Sequence, residues 1–216
     1  MKELPERMEI GQVELKSKFT EVYENGAFGG KESDSGPGSD LVQTARIRTA
    51  IPLLIARQHV RTVLDAPCGD WFWMQRTKLG GQQYTGVDIV ASVVERNRRK
   101  FGRKGVDFLC LDLTHDPLPK ADLILSRDCL VHLSFADARK MLANFKRSGA
   151  RYLLTTTFVA RRSNADLGER FWRPLNLQLS PFAFPPPVTL INEGCTEPGN
   201  FADKSLGLWA FDSVEV

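Results

Sequence analysis

Apolar positions along the chain follow two rhythms. β-prone runs recur at about 60–66, 83–88, 106–111, 121–126 and 152–158, the short, nearly continuous apolar stretches of strands buried on both faces. Helix-period stretches lie between or before them, at about 41–57, 71–79, 90–101 and from Ser134 to Gly149. In the last of these, Ala138, Met141, Leu142 and Phe145 form one stripe behind a Ser134/Asp137 capping pattern. Asp40 is the expected N-cap of the 41–57 helix, and Pro52 is expected to kink or split it. Strands alternating with helices predict βαβ units and a parallel sheet covered by helices on both faces.

Beyond Phe158 the rhythm stops. Residues 159–187 carry Arg173-Pro174-Leu175-Asn176 and a proline run ending at Pro187, which exclude a helix or a central strand there. Two further strand-like runs, 188–191 and 206–211, are expected to pair antiparallel, directly or around an inserted loop. Residues 1–24 predict a short leading helix packed outside the sheet. Residues 25–39, dense in Gly, Ser, Asn and Pro, read by composition as a flexible linker.

Composition narrows the class. Apolar and charged fractions of 42% and 25% describe a soluble globular chain, and 216 residues suit one domain better than two. The net charge of +3 gives no argument for nucleic acid or membrane. No run approaches the ~20 apolar residues of a membrane span. No stretch fits a signal peptide, so the expected compartment is the cytoplasm. The four cysteines contain no C-x-x-C pair, which argues against zinc and against a disulfide framework.

Candidate chemistry sits at the strand ends. Asp65, Asp88 and Asp112 each close a strand, at separations of 23 and 24 residues, about one βα unit. That spacing predicts three carboxylates on one sheet edge, where doubly wound sheets bind ligands. Asp88 suits two adjacent ribose hydroxyls, and Asp112-Leu113 suits a ring with an exocyclic amine. Gly69 lets backbone approach a ligand, and a helix from Trp71 would point free N–H groups at it. The segment Asp65-Ala66-Pro67-Cys68-Gly69-Asp70 resembles the first motif of the class I S-adenosylmethionine-dependent methyltransferases. It keeps the middle one of that pattern's three glycines, with Pro67 and Trp71 at the flanking positions. The fold implied is a Rossmann-like, doubly wound, mostly parallel α/β sheet with an antiparallel C-terminal strand.

The resemblance extends along the chain. Stretches 32–39, 65–70, 127–133, 172–177 and 203–209 are similar to a group of bacterial small methyltransferases often described near glycan-modifying genes. It implies S-adenosyl-L-methionine as cofactor, held by Asp65, Pro67, Gly69, Asp88, Ile89, Asp112, Leu113 and Arg127. The polar segment Arg127-Asp128-Cys129-Leu130-Val131-His132 after the fourth strand supplies the candidate bases, His132 first and Asp128 as its competitor. Arg173 and Asn176 are expected to face the acceptor, and residues 29–39 to order over the bound cofactor. The expected organisation is one domain: residues 1–59 leading, 60–158 holding the cofactor, 159–216 on the acceptor side.

The basic residues Arg96, Arg98, Arg99, Lys100, Arg103 and Lys104 read as a solvated helix face, with an RNA patch as the alternative. No Asn-Pro-Pro-aromatic motif follows strand four. The acid–Asn set of magnesium-dependent enzymes is missing too, so no metal is expected. The expected activity is methyl transfer to a hydroxyl of a small molecule, sugar or glycan. An RNA methyltransferase and a non-catalytic cofactor-binding scaffold stand as alternatives. An NAD-dependent oxidoreductase ranks lower, because no G-x-G-x-x-G follows strand one. Oligomeric state is not legible.

Overall fold

The computed structural model describes residues 10–216 and side chains from Glu14 onward, so the expectation for residues 1–9 lies outside the described residues. The chain forms α1 (Ile10–Glu24), α2 (Ala45–Arg57), β1 (Thr62–Asp65), β2 (Gln83–Asp88), α3 (Ala91–Phe101), β3 (Val106–Cys110) and β4 (Leu123–Ser126). It continues with α4 (Phe135–Arg147), β5 (Tyr152–Phe158), β6 (Thr189–Asn192) and β7 (Lys204–Ala210). The sheet order is β3-β2-β1-β4-β5-β7-β6. The first five strands are mutually parallel, while β7 runs antiparallel to both β5 and β6. The last strand is therefore inserted between its predecessor and the parallel sheet. The fold is α/β with a mostly parallel, doubly wound sheet and an antiparallel C-terminal strand.

Alternation along the strands divides the core. Leu64, Ile124 and Leu153 point to one face, where Met141, Leu142 and Phe145 of α4 and Leu175 and Phe184 of the proline-rich segment cover them. Val63, Leu123, Leu125 and Leu154 point to the other, under Ile47, Ile51, Leu54 and Ile55 of α2. Because side chains on both faces are buried, these strands lack polar alternation. The Ser134 hydroxyl caps α4 by accepting the Asp137 N–H at 3.1 Å.

Two local expectations are corrected. Helix α2 starts at Ala45 rather than after Asp40 and runs through Pro52 unbroken, its apolar face held by the core. Asp40 instead accepts the Thr44 amide through its carbonyl, and its carboxylate accepts the Glu32 amide. No helix forms over 71–79. Trp71 takes a left-handed φ of 59°, its ring packs 4.9 Å from Phe101 and 5.4 Å from Phe108, and only a short 3-10 turn follows at Met74–Arg76. Core packing of the aromatic cluster overrides its helix-like spacing, and the expected helix dipole is not there. Helix α1 packs outside the sheet, on its α4 side. Leu15 and Phe19 pack on the α4-side core and, with Tyr23, line the central cavity.

Candidate active site

Parallel registry brings the ends of β1, β2 and β4 level: Asp65 pairs with Gly86 on one side and with Leu125 on the other. The strand order reverses at β1, and the cavity opens there, as in other doubly wound sheets. It encloses about 1000 Å3 including its mouth. Asp65, Pro67, Gly69, Asp88, Ile89, Asp112, Leu113, Arg127, Asp128 and His132 all line it. Arg173 and Asn176 do not.

Asp88 is buried, and its two carboxylate oxygens accept the Gly69 N–H at 3.1 Å and the Val90 N–H at 3.0 Å. Each oxygen keeps lone-pair capacity toward the cavity. Burial pushes its pKa up to about 6, against the pull of those amides. Asp65 accepts the Tyr84 hydroxyl at 2.5 Å, and burial raises its pKa to about 7. Asp112 accepts the Thr114 amide and hydroxyl through Oδ1. Its Oδ2 is buried without a hydrogen-bond partner, with His115 Nδ1 3.5 Å away. A buried carboxylate oxygen left without a donor calls for one.

The glycine–serine segment is a docked wall. Asp70 gathers it: its carboxylate accepts the Ser33 hydroxyl at 2.9 Å, the Asp34 amide at 2.8 Å and the Ser35 hydroxyl at 3.1 Å. Ser35 also bonds Tyr23 of α1 at 2.7 Å. Gly69 is required here for a reason other than ligand access. Its φ is +53°, and a Cβ would lie 2.3 Å from the Ser35 hydroxyl oxygen. The linker reading of 25–39 is thereby corrected: the Ser33 and Ser35 hydroxyls find an acceptor in the Asp70 carboxylate, and Ser33 is 1% exposed.

Beyond β4 the site is charged and closed. Arg127 bonds Glu193 at 2.6 Å and the Gly38 carbonyl at 2.8 Å. Asp128 accepts from Lys204 at 2.6 Å and lies 3.3 Å from Arg127. Burial works against its charge, but Lys204 and Arg127 outweigh that and hold the carboxyl well below its ordinary range. Asp128 is therefore unfit to take a proton near neutrality, which corrects its place as a competing base. Arg127 reaches the cavity, but its hydrogen bonds tie β4 to the Gly38 turn and to Glu193.

His132, four residues beyond Asp128, also lines the cavity, half-buried between Phe19, Phe28 and Phe171, with ring centroids at 6.4, 5.8 and 4.8 Å. Its Nδ1 lies 2.8 Å from the Phe171 carbonyl oxygen. A carbonyl only accepts, so Nδ1 carries the hydrogen and Nε2 the lone pair. No described residue bonds Nε2. Burial lowers the imidazole pKa below its ordinary value, keeping the ring neutral.

Arg173 and Asn176 are corrected too. The Arg173 guanidinium donates to the carbonyls of Ala165, Leu130 and Leu133, and Asn176 to those of Val159 and Arg161. Both are buried; Arg173 staples the proline-rich segment to the loop after β4, and Asn176 ties that segment to the residues just after β5. Of the basic α3 region, Arg96 pairs with Asp34, Arg98 bonds the Phe108 carbonyl and Arg103 covers Trp71. Among the described residues, no group of three or more His, Cys, Asp or Glu side chains is set to hold a metal, and no helix is long and apolar enough to cross a membrane.

Sequence reasoning missed Asp70, Glu193 and the aromatic residues of α1 and its following loop. Asp70 had a signal, an acid beside the glycine turn with paired serines upstream. Glu193 and Phe28 are brought in only by tertiary structure.

Comparisons with known proteins agree with this geometry. Residues 63–149 match the family described as a methyltransferase domain. No curated protein matches the chain. Among solved structures, Burkholderia thailandensis 1,6-didemethyltoxoflavin-N1-methyltransferase, with its substrate and S-adenosylhomocysteine bound, superposes with a TM-score of 0.62. It is 18% identical, over 96% of this chain and 92% of that one. Magnesium protoporphyrin IX methyltransferase from Synechocystis PCC 6803, bound to S-adenosylmethionine, gives 0.53 at 14% identity, over 75% and 82%. The N-methyltransferase NodS from Bradyrhizobium japonicum WM9, bound to S-adenosylhomocysteine, gives 0.52 at 16%, over 64% and 72%. Residues 63–149 are thus similar to a methyltransferase domain, and the chain has the fold of these solved structures, with its cavity at the ends of β1, β2 and β4.

Proposed function

We propose that the protein is an S-adenosylmethionine-dependent methyltransferase acting on a hydroxyl of a small molecule, a class that includes both sugar and aromatic hydroxyls. The observation that carries this reading is a neutral imidazole, its Nε2 bonded by no described residue, in the same cavity as three strand-end aspartates. The residues suit the cofactor: Asp112 Oδ2 offers a buried acceptor for an amine, and Asp88 offers lone pairs for a ribose diol. Leu113 and Ile89 supply apolar cover beside them. The solved relatives bound to S-adenosylmethionine or its product support the same choice.

When bound, S-adenosylmethionine supplies a methyl group on a sulfonium, transferred by in-line displacement. The chain's own contribution is then to hold two reactants in line and exclude water. The segment from α1 to Ser39 walls the cavity on one side, while Arg127, Glu193 and Lys204 fix the loop after β4. His132 Nε2 takes the hydroxyl proton, while Nδ1–H stays on Phe171 and keeps the ring oriented. The negative charge of Asp128 favours the resulting imidazolium.

Incubation with methyl-labelled S-adenosylmethionine and a fractionated metabolite pool tests this. Label in a base-stable ether of a small molecule supports the reading. Label in polymeric RNA favours an RNA methyltransferase, and donor binding without transfer to any fraction favours a scaffold.

A further inference from the structure

We infer that the acceptor end of the cavity is a site for a planar aromatic ring bearing the reacting hydroxyl, not for a saturated sugar. The inference rests on the proposed hydroxyl methylation and narrows its substrate class. Around His132, the proposed base, the walls are aromatic and aliphatic: Phe19, Phe28 and Leu15 line the cavity, with Phe171 behind His132. Phe19 and Phe28 are half-buried and line the cavity, so each keeps apolar surface in a concave site instead of closing it into core. The aromatic rings meet at tilted or edge-on angles: Phe28 lies 5.7 Å from Phe171 at 54° and 5.2 Å from Tyr23 at 76°. Such a set presents edges and faces that a further ring can join at the spacings aromatic pairs favour.

The polar inventory points the same way. A sugar brings several hydroxyls, each needing a partner when taken out of water. Three of the polar groups bordering this wall are already engaged, and a fourth, the Lys18 ammonium, lies 5.2 Å over the Phe171 ring. Tyr23 bonds Ser35, the Phe171 carbonyl accepts from His132, and Asp128 is paired with Lys204 and Arg127. His132 Nε2 remains, enough for one hydroxyl. One proton acceptor inside an aromatic wall matches a ring carrying a single reacting hydroxyl.

The test is calorimetry on the protein with and without S-adenosylhomocysteine, using 2-naphthol, 7-hydroxycoumarin, decahydro-2-naphthol and methyl α-glucoside as probes. Label transfer from S-adenosylmethionine to each is followed in parallel. The two aromatic probes are expected to bind at least about tenfold tighter than their saturated counterparts. Phe19→Leu and Phe28→Leu, which keep apolar volume, are expected to weaken them by about three- to tenfold, the scale of an aromatic pair, with S-adenosylhomocysteine affinity unchanged. Glucoside or decahydronaphthol binding as tightly as the rings, no ring binding, or indifference to both substitutions overturns the inference. Ring binding without label transfer removes the hydroxyl-methylation reading and leaves the ring site standing. Label transfer to glucoside with no ring bound does the reverse.

Discussion

Lys204 holds its ammonium 2.6 Å from a carboxylate oxygen of Asp128, and that pairing separates the two candidate bases. Asp128 is locked as an anion within a buried group of charges. His132, whose Nδ1–H is committed to Phe171, keeps Nε2 for the acceptor. His132→Gln is expected to bind S-adenosylmethionine as the wild type does and to lose about 10²–10⁴-fold in single-turnover rate. A Gln variant within a few-fold of wild type would take the proton transfer away from His132.

The same assignment fixes a pH profile. Protonated imidazole has no lone pair, so rate falls as pH drops through the His132 pKa, which burial places below its ordinary 6.5. Turnover is expected to be level from neutrality upward and to decline only under acid conditions. A kcat inflection well above neutrality would point to a different ionising group.

Asp65 gives a stability prediction with a defined sign. Its pKa stands at about 7 in the folded state against 3.8 as a free side chain, so between those values the native state binds a proton that the unfolded state has lost. Its contribution to stability is whole below the lower value and is lost as pH rises through the upper one. Asp65→Asn keeps an acceptor for Tyr84 and carries no charge. It is expected to gain about 1–4 kcal/mol over wild type at pH 8 and almost nothing at pH 4. Urea unfolding at the two pH values measures this, and a pH-independent difference contradicts it.

Arg173 is expected to matter to the fold. Arg173→Ala strands the carbonyls of Leu130, Leu133 and Ala165, and the loss is expected to reach roughly 2–3 kcal/mol, the cost of buried acceptors left unpaired. S-adenosylmethionine affinity of the folded variant should be preserved. Unchanged unfolding together with a raised acceptor KM would instead put Arg173 at the substrate.

Asp70→Ala is expected to free the segment it gathers. Hydrogen exchange at Asp34, Ser35 and neighbouring amides should accelerate, since Ser33, Asp34 and Ser35 all converge on that one carboxylate. Equal exchange in the two proteins would mean that the wall is held by other contacts.

Much of this architecture was legible because the local signals agree with the fold. The β2 and β5 boundaries and the Ser134 cap of α4 follow directly from strand period and capping chemistry. Asp65, Asp88 and Asp112 converge because one βα unit has a nearly fixed length. Where tertiary contacts decide, the sequence misleads. Trp71 leaves helical geometry to pack with Phe101 and Phe108, and a glycine–serine stretch that reads as linker is fastened by Asp70. Arg173 and Asn176 look like ligand-facing polar residues because proline-rich loops often present them. Here the same loop leaves its backbone carbonyls inside the protein, and these two side chains satisfy them. Glu193 and Phe28 reach the site over separations for which no local pattern exists.

The central claim, that the strand-end carboxylates hold the methyl donor, is tested most directly by calorimetric titration of wild type and Asp88→Asn with S-adenosylmethionine. The Asn variant keeps one oxygen for the Gly69 or Val90 amide but replaces the other with a donor, so the fold is retained and an acceptor is lost. The account predicts saturable one-to-one binding by wild type. It predicts an affinity lower by about 10–150-fold in the variant, the 1.5–3 kcal/mol of hydrogen bonds to a charged group. No binding by wild type, or equal affinity in a folded Asn variant, would contradict it.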